Sequence, residues 1–157
     1  MVGQIPGSKR SDVRGKRLMA KVTIKPAGNH KLSAGFWLSD LVCAESARHP
    51  TVVNQPDVFA LANLHKVAAM VEKVKAVLGG LPVAILAGFR SVDLNDLLGG
   101  EPDSPMLRGE AVRFCCPEYG DAQAVYAAVV NSGIKFGEVT LGCGWVQVSI
   151  SNKGQHA

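Results

Sequence analysis

The 157-residue sequence has no apolar run close to the roughly 18 residues that a membrane helix needs, so no membrane span is expected. Its first residues show no apolar stretch behind the charges, and no secretory signal is expected either. The four cysteines are too few and too scattered for a disulfide framework, and we interpret them as reduced thiols. Ser104 and Ser149 have no histidine at a motif position, which leaves a catalytic triad unsupported. What remains is a globular composition, with 47% hydrophobic and 19% charged residues.

The net charge of +4 is unevenly distributed. Residues 1–31 carry eight basic side chains against one acid, whereas the rest of the chain has a net charge of −3. We predict an extended basic N-terminal arm at 1–31, a domain at 32–152 and a tail at 153–157. The arm suits contact with an acidic protein surface or nucleic acid, and the alternative is a solvated terminus. The expected contact residues are Lys9, Arg10, Arg14, Lys16, Arg17, Lys21 and Lys25.

The periodicity of the domain indicates an α+β fold with a small antiparallel sheet packed against helices. Helices are predicted from a cap at Ser39, from Asp57 to about Leu78, over 92–98 and over 121–131. Strands are predicted at 82–87, 110–116, 136–141 and 145–150. The last two strands are too close in sequence for a crossover helix, which favours an antiparallel pair.

Three sequence segments occur in an order that carries a resemblance. They are GFRS at 88–91, SPMLRGEAVRF at 104–114 and GWVQVSI at 144–150. Together they resemble the zinc peptidases of the D-alanyl-D-alanine carboxypeptidase type, in the small single-domain form common in phage endolysins. The resemblance covers about residues 32–150, and FWLSDLVCAES resembles the first helix of that family.

The resemblance implies zinc ligands at positions where this chain has none. The family patterns are Ser-x-His-x-x-Gly-x-Ala-x-Asp and Trp-x-His, whose two histidines and aspartate hold the metal. The corresponding residues here are Met106, Arg113 and Gln147, although Ser104 and the following glycine and alanine of the pattern are retained. A thioether and an amide are poor zinc ligands, and a guanidinium does not ligate because it stays protonated. We therefore predict no metal, no cofactor and no zinc-activated hydroxide.

The general-base carboxylate of the family falls near Gly142 in this alignment, and the nearest acid, Glu138, lies four residues too early. Arg113 is expected to occupy the vacated metal position electrostatically. A partly buried guanidinium needs an acceptor, and the candidates are Glu110, Glu138 and the carbonyl of Gly142.

Part of the family's substrate cleft is retained. Arg90, Ser91, Ser104 and Trp145 match cleft positions and are the candidate binding residues. The resemblance implies that Arg90 contacts a substrate carboxylate or carbonyl, but an arginine there can equally be structural.

The sequence thus predicts a catalytically inactive peptidase-like domain. Because the single-domain form is largely a phage one, we expect a structural component of the virion, present in the host cytoplasm before assembly. Its arm would bind other particle subunits, in head decoration or in tail or fibre attachment. The alternatives are a module that binds peptidoglycan peptides without cutting them, and an active cell-wall peptidase with an unforeseen site.

Overall fold

A four-stranded antiparallel sheet with helices packed against it forms the part of the chain that the computed structural model describes, residues 29–150. The α-helices are α1 (Leu38–Ser46), α2 (Val58–Val77), α3 (Val92–Leu97) and α4 (Ala122–Val130), and a 3-10 helix spans Pro105–Arg108. The strands are β1 (Ala84–Ala87), β2 (Ala111–Cys115), β3 (Glu138–Leu141) and β4 (Val146–Ser149). The predicted α+β class is confirmed. Within the described range no helix is both long and apolar enough to cross a bilayer.

The strand order in the sheet is β1-β2-β4-β3, and every neighbouring pair is antiparallel. Because side chains alternate along a strand, each central strand has one face towards the core. On that face Val112, Phe114, Val146 and Val148 are fully buried. Arg113 and Gln147 lie on the opposite face, as the alternation in the sequence predicts.

The long helix α2 supplies most of the opposing core surface. Its N-terminus is capped by Asp57, whose Oδ1 accepts a hydrogen bond from the backbone N–H of Ala60 at 2.8 Å. The helix ends before Gly79, which has a φ of +79° that suits a glycine after a helix. Both ends were predicted from the sequence. Its buried residues are Ala60, Leu64, Val67, Ala68, Met70, Val71 and Val74.

The start of α1 differs from the prediction. Ser39 was expected to cap the helix, but the N-cap residue is Trp37 and the helix begins at Leu38. The backbone N–H of Trp37 donates to Oδ2 of Asp40 at 2.8 Å. The carboxylate of Asp40 therefore reaches back to the N-cap residue, and Ser39 lies within the first turn.

Residues 29–31, the last three of the predicted arm, are bound to α1. The carbonyl of His30 accepts from the backbone N–H of Leu38 at 2.8 Å. The side-chain oxygen of Asn29 accepts from the backbone N–H of Ser39 at 3.0 Å. These bonds satisfy backbone donors of the first helical turn, which have no partner inside the helix. The remainder of the predicted arm, residues 1–28, and the tail lie outside the described residues.

Gly109 sets the approach of the 3-10 helix to α2, and it gives a test of this packing. Its φ is +71°, and a Cβ there would lie 2.6 Å from the carbonyl oxygen of Ala60. Gly133 has a φ of +81° with nothing within 4 Å of its added Cβ. Positive φ costs an alanine about 1–2 kcal/mol, so Gly133→Ala should cost that much. Gly109→Ala should cost at least about 1 kcal/mol more, because the helices must also separate.

The measurement is urea unfolding of the two variants beside the unmodified chain. Equal losses of unfolding free energy in the two variants would show that the close approach of Gly109 to α2 does not contribute to stability.

Candidate functional site

Arg113 and Gln147 meet on the face of the sheet that points away from the core. They are direct register partners in the pairing of β2 with β4, and Thr140 of β3 is the next residue in the same cross-strand row. The Nε of Arg113 donates to Oε1 of Gln147 at 2.9 Å. Two of the positions that the resemblance assigns to zinc ligands are therefore joined by a hydrogen bond.

The guanidinium of Arg113 also lies over an aromatic ring. Its Cζ is 4.2 Å from the centroid of the Trp145 ring, well inside the range of a cation–π contact. Burial lowers the pKa of the Arg113 guanidinium, the charge of Arg90 lowers it further, and the charge of Glu45 acts in the opposite direction. The side chain is thus a half-buried cation with an amide and an indole as its immediate neighbours.

The predicted acceptors of Arg113 are wrong, and the sheet geometry explains why. Glu110 is three residues from Arg113, which places it on the opposite side of the chain, and it accepts from Arg108 at 2.9 Å instead. Glu138 belongs to β3, two strands away from β2 in the sheet. Gln147 is directly opposite Arg113, so its amide oxygen is the acceptor within reach.

Met106, the third ligand position, is buried against the same face of the sheet as Arg113. It is 1% exposed and packs with Ala87 and Ala111 in a small apolar cluster. Its backbone carbonyl accepts from the backbone N–H of Arg90 at 3.1 Å. Met106 is therefore a buried anchor between the 3-10 helix and the end of β1, and its side chain does not line the pocket described below.

Gly142, the position that matches the general base, lies in the turn between β3 and β4. Its backbone N–H donates to the carbonyl of Trp145 at 2.9 Å. A Cβ added at Gly142 would collide with the six-membered ring of the Trp145 indole. With Trp145 over Arg113, there is no room for any side chain at position 142.

Arg90 forms the strongest ion pair of the site. Its Nε and Nη2 donate to the two carboxylate oxygens of Glu45, both at 2.8 Å, and its Nη1 donates to Oδ1 of Asn95 at 3.3 Å. The side chains of Arg90 and Glu45 are only 6% and 17% exposed. Arg90 thus makes structural contacts and also borders the pocket, so its binding role stays a prediction.

The two candidate serines cap helices. The Oγ of Ser91 accepts from the backbone N–H of Leu94 at 3.2 Å and donates to the carbonyl of Val53 at 2.9 Å. The Oγ of Ser104 accepts from the backbone N–H of Met106 at 3.2 Å. Ser104 lines the pocket, whereas Ser91 does not, because its side chain points to the start of α3.

A pocket of about 380 Å³ opens over Arg113 and Gln147. It brings together three of the predicted binding residues, Arg90, Ser104 and Trp145. The sequence reasoning missed several lining residues, because their proximity depends on the register of the β3–β4 hairpin and on the loop before the 3-10 helix. These are Glu101, Asp103, Arg108 and Thr140, while Glu138 lines the pocket as well.

The donor set of this pocket does not fit a catalytic zinc ion. Such an ion needs three nitrogen, sulfur or carboxylate donors around one point. Here the matching positions hold a buried thioether, a cation and an amide whose oxygen is bonded to that cation. Among residues 29–150 no three histidine, cysteine, aspartate or glutamate side chains are grouped so that they could hold a metal.

The described residues form an α+β domain with a pocket over one face of its sheet, and the comparison with protein families gives its family. The model of peptidase M15 matches residues 34–144, more than half of the chain. The chain therefore belongs to the peptidase M15 family. The matched range includes Met106, Arg113 and Gly142 and ends just before Trp145 and Gln147. A search of curated proteins finds no match.

The Arg90–Glu45 pair leads to a prediction about stability. Glu45→Ala leaves a buried guanidinium without its carboxylate and should lower the free energy of unfolding by about 3 kcal/mol. Glu118→Ala, which removes an exposed glutamate from a turn, serves as the matched control and should change it by less than about 0.5 kcal/mol. Chemical denaturation measures both. A loss at Glu45 no larger than that at Glu118 would contradict the structural role of the pair.

Proposed function

We propose that this chain is a non-catalytic member of the peptidase M15 family. The observation that carries the proposal is the hydrogen bond from Arg113 to Gln147 with Trp145 stacked on the guanidinium. This cluster puts a fixed positive charge where the resemblance implies a divalent cation. Two like charges at contact distance repel strongly in a half-buried site.

The position of the general base supports the same conclusion. The resemblance implies a carboxylate near position 142 that activates the attacking water. This chain has a glycine there, and Trp145 packs against it. General-base catalysis requires a basic group within hydrogen-bond reach of the water. Glu138 borders the pocket from the far end of β3, and Thr140 stands between it and the turn.

The experiment is a joint measurement of zinc content and hydrolysis on the full chain purified without added metal. We expect far less than one zinc per chain and no release of product from D-alanyl-D-alanine peptides above a denatured control. Stoichiometric zinc, or turnover that a chelator abolishes, would refute the proposal.

A restored variant sharpens this test. Met106→His, Arg113→Asp and Gln147→His together recreate the donor types of the family, and this triple variant should bind more zinc than the unmodified chain. Gln147→His alone is the control and should not, because one imidazole beside Arg113 is not a zinc site.

We further propose that the domain serves as a structural component of a bacteriophage particle, held there by residues 1–31. This proposal is supported by the basic charge of that segment and by the resemblance to the single-domain phage form. Acidic protein surfaces are the chemistry that such a segment would recognise, and nucleic acid is the alternative.

The anchoring role predicts different behaviour for the full chain and for a chain beginning at Asn29. The shorter chain should keep the fold of residues 29–150, because it retains every residue of the core that the structure describes. It should fail to co-purify with intact particles, whereas the full chain should be present in fixed stoichiometry. Full occupancy of the shorter chain would contradict the anchor, and release of the full chain by nuclease would identify nucleic acid as the partner.

The second candidate function is the binding of peptidoglycan peptides without cleavage. The pocket over Arg113 favours it, since it remains open at about 380 Å³ and is lined by both cationic and acidic side chains. Binding of peptidoglycan fragments to the chain beginning at Asn29, without hydrolysis, would favour this function over the particle role.

A further inference from the structure

We propose that the pocket is a binding site for a singly charged carboxylate, which Arg113 and Gln147 hold directly. Arg113 and Gln147 stand at positions that the resemblance assigns to metal ligands. Because Arg113 is a cation, the site would attract an anion, whereas a metal site attracts a cation. This inference does not depend on the absence of catalysis, because binding is measured without turnover.

The unused hydrogen-bond donors of the pocket carry the inference. The Nε of Arg113 is bonded to Gln147, and within residues 29–150 its Nη1 and Nη2 have no protein acceptor. The oxygen of Gln147 accepts that bond, and its amide nitrogen is a further hydrogen-bond donor. Both residues line the pocket, so donors of one type face the same space. A guanidinium with two free nitrogens matches the two oxygens of a carboxylate.

Arg113 differs from the other two arginines of the pocket. Arg90 is paired with Glu45, and Arg108 is paired with Glu110 at 2.9 Å. Arg113 has an amide as its hydrogen-bond acceptor, so within the described residues its charge is not matched by a carboxylate in contact. The ring of Trp145 covers one side of its guanidinium and excludes water there. An anion bound to a partly desolvated cation interacts more strongly than in bulk water.

The acidic residues of the pocket limit the charge of the ligand. Asp103 and Glu138 also line it, and they would repel a dianion such as phosphate more than a monoanion. A ligand with one carboxylate and with amide N–H groups further along would satisfy both parts of the pocket. The volume of about 380 Å³ is at the small end of ligand sites, which suits a small acyl amino acid or the end of a peptide.

The first test uses the unmodified full chain and needs no variant. N-Acetylglycine carries one carboxylate, N-acetylglycinamide has the same shape without the charge, and inorganic phosphate is the dianionic alternative. The readout is the indole N–H resonances of the two tryptophans in nitrogen-15 spectra. N-Acetylglycine should shift the Trp145 resonance saturably and leave that of Trp37 unchanged, and the amide should shift neither. A spectrum of Trp37→Phe assigns the two resonances.

Two outcomes of this comparison would overturn the proposal. One is equal binding of the acid and the amide, or no saturable shift up to about 10 mM probe. The other is tighter binding of phosphate than of N-acetylglycine, which would make the site one for a different class of anion.

The second test assigns the binding to Arg113. Arg113→Gln should weaken N-acetylglycine binding by about tenfold or more, since it removes a charged hydrogen-bond donor. Arg48→Gln removes the same charge from an exposed position outside the pocket and should leave the affinity within about twofold. Urea unfolding verifies that both variants are folded. Equal affinities of the two folded variants would show that Arg113 does not hold the carboxylate. If Arg113→Gln does not fold, the comparison of N-acetylglycine with N-acetylglycinamide on the unmodified chain decides alone.

Discussion

The buried ion pair between Arg90 and Glu45 connects the elements around which the cleft is built. Glu45 lies near the end of α1, and Arg90 lies three residues after the end of β1, so their paired bonds fix the helix to the sheet. Asn95 of α3 accepts a third bond from the same guanidinium. Removing either charge would leave the other buried, which typically costs several kcal/mol. The geometry of the cleft wall therefore depends on this contact.

Asn54 extends this connection with bonds to three backbone groups. Its Nδ2 donates to the carbonyls of Val42 and Phe89 at 2.9 and 3.0 Å, and its Oδ1 accepts from the backbone N–H of Ser91 at 2.6 Å. Buried backbone polar groups must find such partners, and here one amide supplies them for α1 and for the segment after β1. The GFRS segment is thus held in place by contacts with α1 and with the segment before α2.

The fold was predictable because its signals are local. The length of α2 follows from apolar spacing and from Asp57, and the opposite faces of β2 follow from simple alternation. The start of α1 was not predictable in the same way, since its N-cap is a tryptophan, which is not a typical capping residue, and the polar contact comes from Asp40 three residues later. The partners of Arg90 and Arg113 lie 45 and 34 residues away in sequence, and only the register of the sheet and the docking of α1 bring them together. The sequence shows which residues stand at the zinc-ligand positions. It does not show that Arg113 and Gln147 form a hydrogen bond with each other.

The contact between Gly142 and Trp145 couples the residue type at position 142 to the position of the indole ring. An acidic side chain at position 142 and an indole stacked on Arg113 occupy the same space, so one excludes the other. A variant with an acid at position 142 would have to displace the indole and uncover the guanidinium. A variant that lost Arg113 would remove the partner over which the indole lies. The residue at position 142 and the stacking of Trp145 on Arg113 are therefore coupled, so that a change at either one alters the other.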